Sequence, residues 1–123
     1  MKLFLNYLLV FNSLKIFNLR YFVLMATLYE RLGAEKGVDA IVTTFQKYML
    51  SDPITAPYFE KTDMVVQARR EKQFVAIVTG GPKNYEGRSM KESHADMKIS
   101  QKEFDATWNN MEKSLKDNKI GEQ

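Results

Sequence analysis

Residues 81–99 read GPKNYEGRSMKESHADMKI, and this stretch contains the only histidine of the chain, His94. Ser89 and Glu92 have the spacing of a capping box, which predicts a short helix that places His94 one turn beyond its start. A lone histidine in a helix is most often a surface or hydrogen-bonded residue, and one imidazole cannot hold zinc without further protein ligands. His94 can therefore act as a metal ligand only where a cofactor supplies the remaining ligands.

The sequence neighbours of His94 suit a soft or borderline metal. Met90, Met97 and Ile99 would surround the imidazole with thioether and aliphatic side chains. Haem is a cofactor of the required kind, because its four pyrrole nitrogens leave two axial positions on the iron, one of which a histidine can fill. A haem site and an ordinary surface histidine are the two interpretations that this stretch leaves open.

Composition and charge narrow the classes of protein. The chain has 123 residues, enough for one domain with a single core, and it has no cysteine, which excludes disulfides and thiolate chemistry. Three of its 18 basic residues and none of its 15 acidic ones lie in residues 1–24, so residues 25–123 carry 15 of each sign. This balance removes the electrostatic reason to expect a nucleic-acid partner.

Residues 1–24 form an apolar and aromatic segment that we separate from a domain at 25–123. As a signal peptide, the segment lacks the small residues of a cleavage site. As a membrane span it is too short, because its longest uncharged run has 12 residues and a span needs roughly 20. An interfacial helix that anchors the protein is possible on composition. A misassigned start upstream of Met25 is a further interpretation, which an intact mass of the native protein would test. We expect a cytoplasmic protein, and an exported or membrane-associated one only if residues 1–24 are retained.

The rest of the chain predicts an all-α fold, because no stretch shows the alternation of a strand. Helical periodicity predicts a helix from about Val38 to Leu50, a second from Thr62 or Asp63 to Gly80, and a third that begins at Ser100. We expect the last of these to contribute a stripe to the core, formed by Phe104, Trp108, Met111 and Leu115.

Two polar residues, Gln67 and Glu71, interrupt the apolar face of the second predicted helix. An unpartnered buried amide or carboxyl costs on the order of 1–3 kcal/mol, so such residues occur where a pocket supplies a ligand or water, or where the face is only half buried. Both interpretations are open. In a dry pocket, desolvation would favour the protonated form of Glu71. Gln46 lies at the rim of the apolar stripe of the first predicted helix.

Several short motifs follow one another between Thr27 and about Leu115. They are Tyr29-Glu30-Arg31-Leu32-Gly33, Phe45 with Asp52-Pro53, Phe59, Thr62-Asp63-Met64, Phe74, Gly80-Gly81-Pro82, Gly87-Arg88-Ser89-Met90, His94-Ala95 and Phe104-Asp105-Ala106. In joint order and spacing they resemble the group I truncated haemoglobins. This resemblance also favours Met25 as the start, since members of that family often begin just before the Leu-Tyr-Glu motif.

The resemblance implies a truncated globin, a two-over-two helical sandwich around haem b, with His94 as the proximal ligand of the iron. It implies a distal ligand pocket formed by Phe45, Gln46, Phe59, Gln67 and Glu71. It implies further contacts with the haem from Arg70, Phe74, Tyr85 and Met90, with Arg70 and Tyr85 as candidates for the propionates.

The chain departs from the family pattern at two distal positions. Gln46 stands where the family usually has a tyrosine, and Glu71 stands where similar proteins often have Gln or Leu. An amide can still donate a hydrogen bond to a ligand, whereas a carboxyl donates only when protonated. A second histidine cannot bind the iron because the chain has only one, and Arg70 stands where some relatives place that residue.

Three functional hypotheses follow from these residues and the resemblance. The first is reversible binding of dioxygen and other diatomic ligands, including nitric oxide and carbon monoxide. The second is an enzyme, a nitric oxide dioxygenase or a peroxidase, which would need a separate reductase because Gly80-Gly81 is no dinucleotide-binding loop. The third is a helical interaction module that has lost haem, motivated by the altered distal residues and the apolar N-terminus.

Overall fold

The computed structural model describes residues 26–121. The apolar segment 1–24 and its proposed boundary at Met25 lie outside the described residues. Within them the chain is helical and has no strand, which confirms the all-α prediction. The elements in chain order are α1 (Leu28–Arg31), α2 (Ala34–Ser51), a 3₁₀ helix (Ala56–Phe59), α3 (Met64–Val78), α4 (Met90–His94) and α5 (Gln101–Asp117). None of the helices in residues 26–121 is both long enough and apolar enough to cross a membrane.

The helix starts follow the caps expected from the sequence. Asp63 caps α3, because its carboxylate accepts hydrogen bonds from the backbone N–H groups of Val65 and Val66 at 3.0 and 3.2 Å. Ser89 caps α4 by accepting from the N–H of Glu92. At the start of α5 both hydrogen bonds of a capping box are present, between Ser100 and Glu103. These side chains satisfy backbone donors that have no partner within the helix.

Helix α2 begins at Ala34 rather than near Val38, so the predicted start was four residues late. Gly33, with a φ of 99°, ends the preceding turn and leads directly into α2. Gly37 lies inside the helix because the chain folds back closely there: a Cβ at this position would lie 1.7 Å from the carbonyl oxygen of Leu32. This glycine is required by a close contact and does not mark a helix boundary.

Helix α2 is the centre of the fold and packs against both α3 and α5. The core consists of apolar residues that are at most 8 % exposed: Val38, Ile41, Val42, Met49, Ala76 and Ala106. Buried polar groups join α5 to α2 and to the residue that ends it. The hydroxyl of Ser114 donates to the carbonyl of Ile41 at 3.0 Å, and the amide of Asn110 donates to the carboxylate of Asp52 at 3.0 Å.

The expected core stripe of α5 was wrong for Phe104 and Trp108, whereas Met111 and Leu115 are half-buried. Phe104 and Trp108 are 59 % and 58 % exposed, while the buried residues of this helix are Ala106, Asn110 and Ser114. The small and polar residues recur every four positions, and they let α5 approach α2 closely enough for the hydrogen bonds just described. The rings of Phe104 and Trp108 are therefore left exposed.

Substitution of Gly37 by alanine tests the close contact at the start of α2. Helix propensity alone would make Gly37→Ala stabilising by about 1 kcal/mol. We expect the opposite, a loss of about 2 kcal/mol or more, since the new methyl group would displace the backbone of Leu32. Thermal unfolding by circular dichroism measures this. Thr43→Ala, at an exposed position of the same helix, is the control and should change stability little; a stabilised Gly37→Ala protein would contradict the packing.

Candidate functional site

The single histidine lies at the end of α4 with an exposed side chain. Its Nδ1 atom is 2.6 Å from the backbone carbonyl oxygen of Met90, one turn earlier in the helix. A carbonyl oxygen can only accept a hydrogen bond, so Nδ1 must carry the proton of the imidazole. In the neutral ring this leaves the lone pair on Nε2, which is free to bind a metal. A hydrogen bond from the other ring nitrogen also fixes the orientation of a ligating imidazole.

Aromatic residues connect the loop that precedes α4 with helix α3. The ring of Tyr85 packs edge-on against Phe74, with 5.8 Å between centroids and planes inclined at 63°. The hydroxyl of Tyr85 donates to the carbonyl of Arg88 at 2.6 Å. Gly87 makes room for this fold of the chain, because a Cβ there would lie 2.3 Å from the Tyr85 hydroxyl oxygen. The segment that leads to His94 is thus tied to α3 through two of the predicted haem-contacting residues.

A second group of side chains forms where α2 and α3 face each other. The carboxylate of Glu71 accepts hydrogen bonds from both glutamines singled out in the sequence. Gln67 donates to Oε1 at 3.0 Å and Gln46 donates to Oε2 at 3.2 Å. Because the resemblance assigns these three residues to the distal pocket, we call them the distal cluster. All three are half-buried, so the polar residues on α3 are accommodated by partial burial and by mutual hydrogen bonds.

The environment of Glu71 changes its acidity. Burial raises the pKa of the Glu71 carboxyl above its ordinary value, because desolvation disfavours the charged form. The hydrogen bonds from Gln67 and Gln46 stabilise the carboxylate and offset part of this rise in pKa. Protonation would turn one carboxylate oxygen into a donor, which requires one of the two glutamine amides to rearrange.

The other predicted site residues divide by exposure. Phe45 and Phe59 are half-buried, and Arg70 and Met90 are exposed. Of the predicted set, the structure brings together the distal cluster, and separately it brings Phe74 against Tyr85.

Sequence reasoning missed two elements of the site. One is the backbone carbonyl of Met90, which orients His94; its signal was the spacing of four residues within one predicted helix. The other is the hydrogen bond between Gln46 and Glu71, which are 25 residues apart. Periodicity places each of these residues on a helix face, but it does not say which faces meet.

The helix that contains His94, the following link and the last helix expose large apolar side chains. Four large apolar residues on α4, α5 and the link between them are exposed by 40–59 %: Met90, Ile99, Phe104 and Trp108. Burial of such surface is favourable by roughly 25 cal/mol per Å². An imidazole nitrogen without a hydrogen-bond partner could bind the iron of haem, and exposed apolar side chains could pack against its porphyrin. Fold and site thus define a small helical protein with a single histidine, whose Nε2 carries the lone pair.

Comparison with known proteins gives the family. The model of the bacterial-like globins matches residues 27–123. A group 1 truncated haemoglobin of Tetrahymena thermophila is 34 % identical over 97 residues, which are 79 % of this chain and 80 % of that relative. The chain belongs to the bacterial-like globin family, and it is similar within that family to the group 1 truncated haemoglobins.

Solved structures agree with this assignment. The Fe(III) form of the truncated haemoglobin of Tetrahymena pyriformis superposes with a TM-score of 0.73 at 35 % identity, covering 77 % of this chain and 81 % of that one. A 2/2 haemoglobin of Synechococcus superposes with a TM-score of 0.70 at 32 % identity, covering 75 % and 78 %. The expected two-over-two globin fold is confirmed. As a globin, the protein uses haem and binds small diatomic gases such as dioxygen through it.

Proposed function

We propose that the protein binds haem b with Nε2 of His94 as the proximal iron ligand and reversibly binds dioxygen, with carbon monoxide and nitric oxide as further ligands. The observation that carries this proposal is the hydrogen bond between Nδ1 of His94 and the carbonyl of Met90. It fixes the tautomer that leaves Nε2 free. His94 would hold the haem, and the iron of bound haem would supply the binding of a diatomic ligand.

The remaining predicted residues have distinct roles in this proposal. The distal cluster would line the ligand side of the pocket, with the half-buried rings of Phe45 and Phe59 limiting access of water. Phe74 would contact the porphyrin. The Tyr85 hydroxyl already donates to a backbone carbonyl, which leaves the exposed guanidinium of Arg70 as the better candidate for a propionate.

Reversible ligand exchange tests the proposal. Haem-loaded protein is reduced, equilibrated with dioxygen and then deoxygenated, while its visible spectrum is recorded. We expect the dioxygen spectrum to form and to revert fully to that of the ferrous protein over repeated cycles. Ferrous protein whose spectrum does not respond to dioxygen or to carbon monoxide would refute the proposal.

An enzymatic role is the second candidate, and the carboxyl of Glu71 in the distal cluster is the observation that favours it. A positioned carboxyl can transfer protons in reactions such as those of a nitric oxide dioxygenase or a peroxidase. Continued turnover would need a separate reductase. Fast decay of the dioxygen-loaded protein on addition of nitric oxide, repeated for many cycles in the presence of a reductase, would favour the enzyme over the carrier.

A further inference from the structure

The distal cluster places a carboxyl where a ligand pocket usually has neutral donors. Each oxygen of Glu71 accepts a hydrogen bond from a different glutamine, one on α2 and one on α3. The two amides thus hold the carboxylate between the helices. An ionised carboxylate can only accept hydrogen bonds, so in this state Glu71 offers no donor to a ligand.

No cation neutralises this carboxylate within residues 26–121, where the ion pair present joins Lys72 to Asp39 at the surface. The other charged groups of α2 and α3 near the cluster are exposed: Lys47, Arg69 and Arg70. The pKa of Glu71 responds to burial and to the two glutamines. The negative charge of Glu71 would therefore act on a ligand in the pocket with little compensation from positive charges.

We propose that Glu71, held between Gln46 and Gln67, is a charge filter that disfavours small anionic ligands while it is ionised and admits them once it is protonated. This inference rests on the proposed haem site and assigns the ligand class of its distal side. A unit charge a few ångströms from a bound anion in a partly buried site weakens its binding by about 10- to 100-fold. Neutral diatomic ligands do not meet this repulsion.

Azide binding to the ferric protein is the test, with Glu71→Gln as the variant that removes the charge and keeps the size of the side chain. At pH 8 we expect the variant to bind azide about 10- to 100-fold more tightly than the wild type. The ratio of the two azide affinities should fall toward one as the pH is lowered and Glu71 becomes protonated. Because burial raises the pKa of Glu71, this change should occur at a higher pH than for an ordinary glutamate. The ratio of affinities at each pH cancels the protonation of azide itself.

Proton uptake gives an independent readout. If azide binds preferentially to protein with protonated Glu71, binding must take up protons from solution by linkage. In weakly buffered solution near pH 7, an indicator dye should report that the wild type takes up more protons per azide than Glu71→Gln does, by up to about one proton. Glu60→Gln removes an exposed carboxylate and should match the wild type in both measurements.

The outcomes separate the inference from the proposed function. Equal azide affinities of wild type and Glu71→Gln across the pH range, with equal proton uptake, would overturn the charge filter. Carbon monoxide binding by the same wild-type preparation would then leave the proposed function standing. A wild type that takes up no haem or carbon monoxide would overturn both.

Discussion

Dioxygen will dissociate from this protein faster than from truncated haemoglobins that have a distal tyrosine, and Gln46→Tyr will slow the dissociation about 10- to 100-fold. A hydrogen bond to a charged partner contributes about 1.5–3 kcal/mol, and 1.4 kcal/mol corresponds to a factor of ten. The resemblance places Gln46 at the tyrosine position. Its amide donates to Glu71, so it is a weaker donor to the ligand than a phenol would be.

The dissociation rate is measured by stopped flow, mixing dioxygen-loaded protein with dithionite and carbon monoxide. Gln46→Phe is the matched control, because it has the bulk of tyrosine without the hydroxyl. We expect Gln46→Phe to dissociate dioxygen at least as fast as the wild type. Wild-type dissociation as slow as in relatives with the tyrosine, or equal slowing by Phe and Tyr, would contradict the account of this position.

Haem will raise the melting temperature of the protein by about 15–30 °C when it is present at 1,000 times its Kd. A ligand at this excess stabilises the folded state by about 4 kcal/mol, and each kcal/mol shifts the melting temperature of a domain of this size by about 4–8 °C. The apolar core of the protein is small, because only six apolar residues among those described are buried. Phe104 and Trp108 are among the side chains that remain exposed.

Metal-free protoporphyrin IX is the control for this stabilisation. It offers the same apolar surface as haem but cannot bond to His94, so we expect a smaller rise in melting temperature. In His94→Ala, haem should stabilise no more than protoporphyrin does. Equal stabilisation of the wild type by haem and by protoporphyrin would contradict ligation by His94.

The sequence was sufficient for three helix caps, where the determining interaction is local. The caps at Asp63, Ser89 and Ser100 are hydrogen bonds between residues two or three positions apart. Ser89 and Ser100 were predicted, and Asp63 was one of two predicted candidates. The helix that contains His94 follows from the same kind of signal. Its Nδ1 hydrogen bond spans four residues, so the tautomer could have been predicted as well.

The sequence was insufficient where distant segments meet. Gly37 was interpreted as the residue before a helix, because glycine is common at helix boundaries. Only the fold shows that the carbonyl oxygen of Leu32 lies too close to position 37 for any side chain there. Periodicity found the apolar stripe of α5, but α2 packs against the neighbouring face through Ala106, Asn110 and Ser114. A large apolar face is not always the packed face, because small residues allow a closer approach between helices.

The same distinction applies to the residues of the candidate site and to the contacts between them. Gln46, Gln67 and Glu71 were each identified as candidates, but their convergence on one carboxylate depends on how α2 and α3 cross. The assignment to haem rested on the resemblance, since a single histidine has several ordinary explanations. Family membership now supports haem, and ligation by His94 is the step still to be measured.

The most direct test of the account is the visible spectrum of the haem-reconstituted ferrous protein with and without carbon monoxide, recorded beside His94→Ala. We expect the wild type to show the Soret band of a five-coordinate, histidine-ligated ferrous haem, which moves when carbon monoxide binds. His94→Ala should lose this band and recover it when free imidazole is added. A wild-type spectrum that matches that of His94→Ala would contradict the assignment of His94 as the proximal ligand.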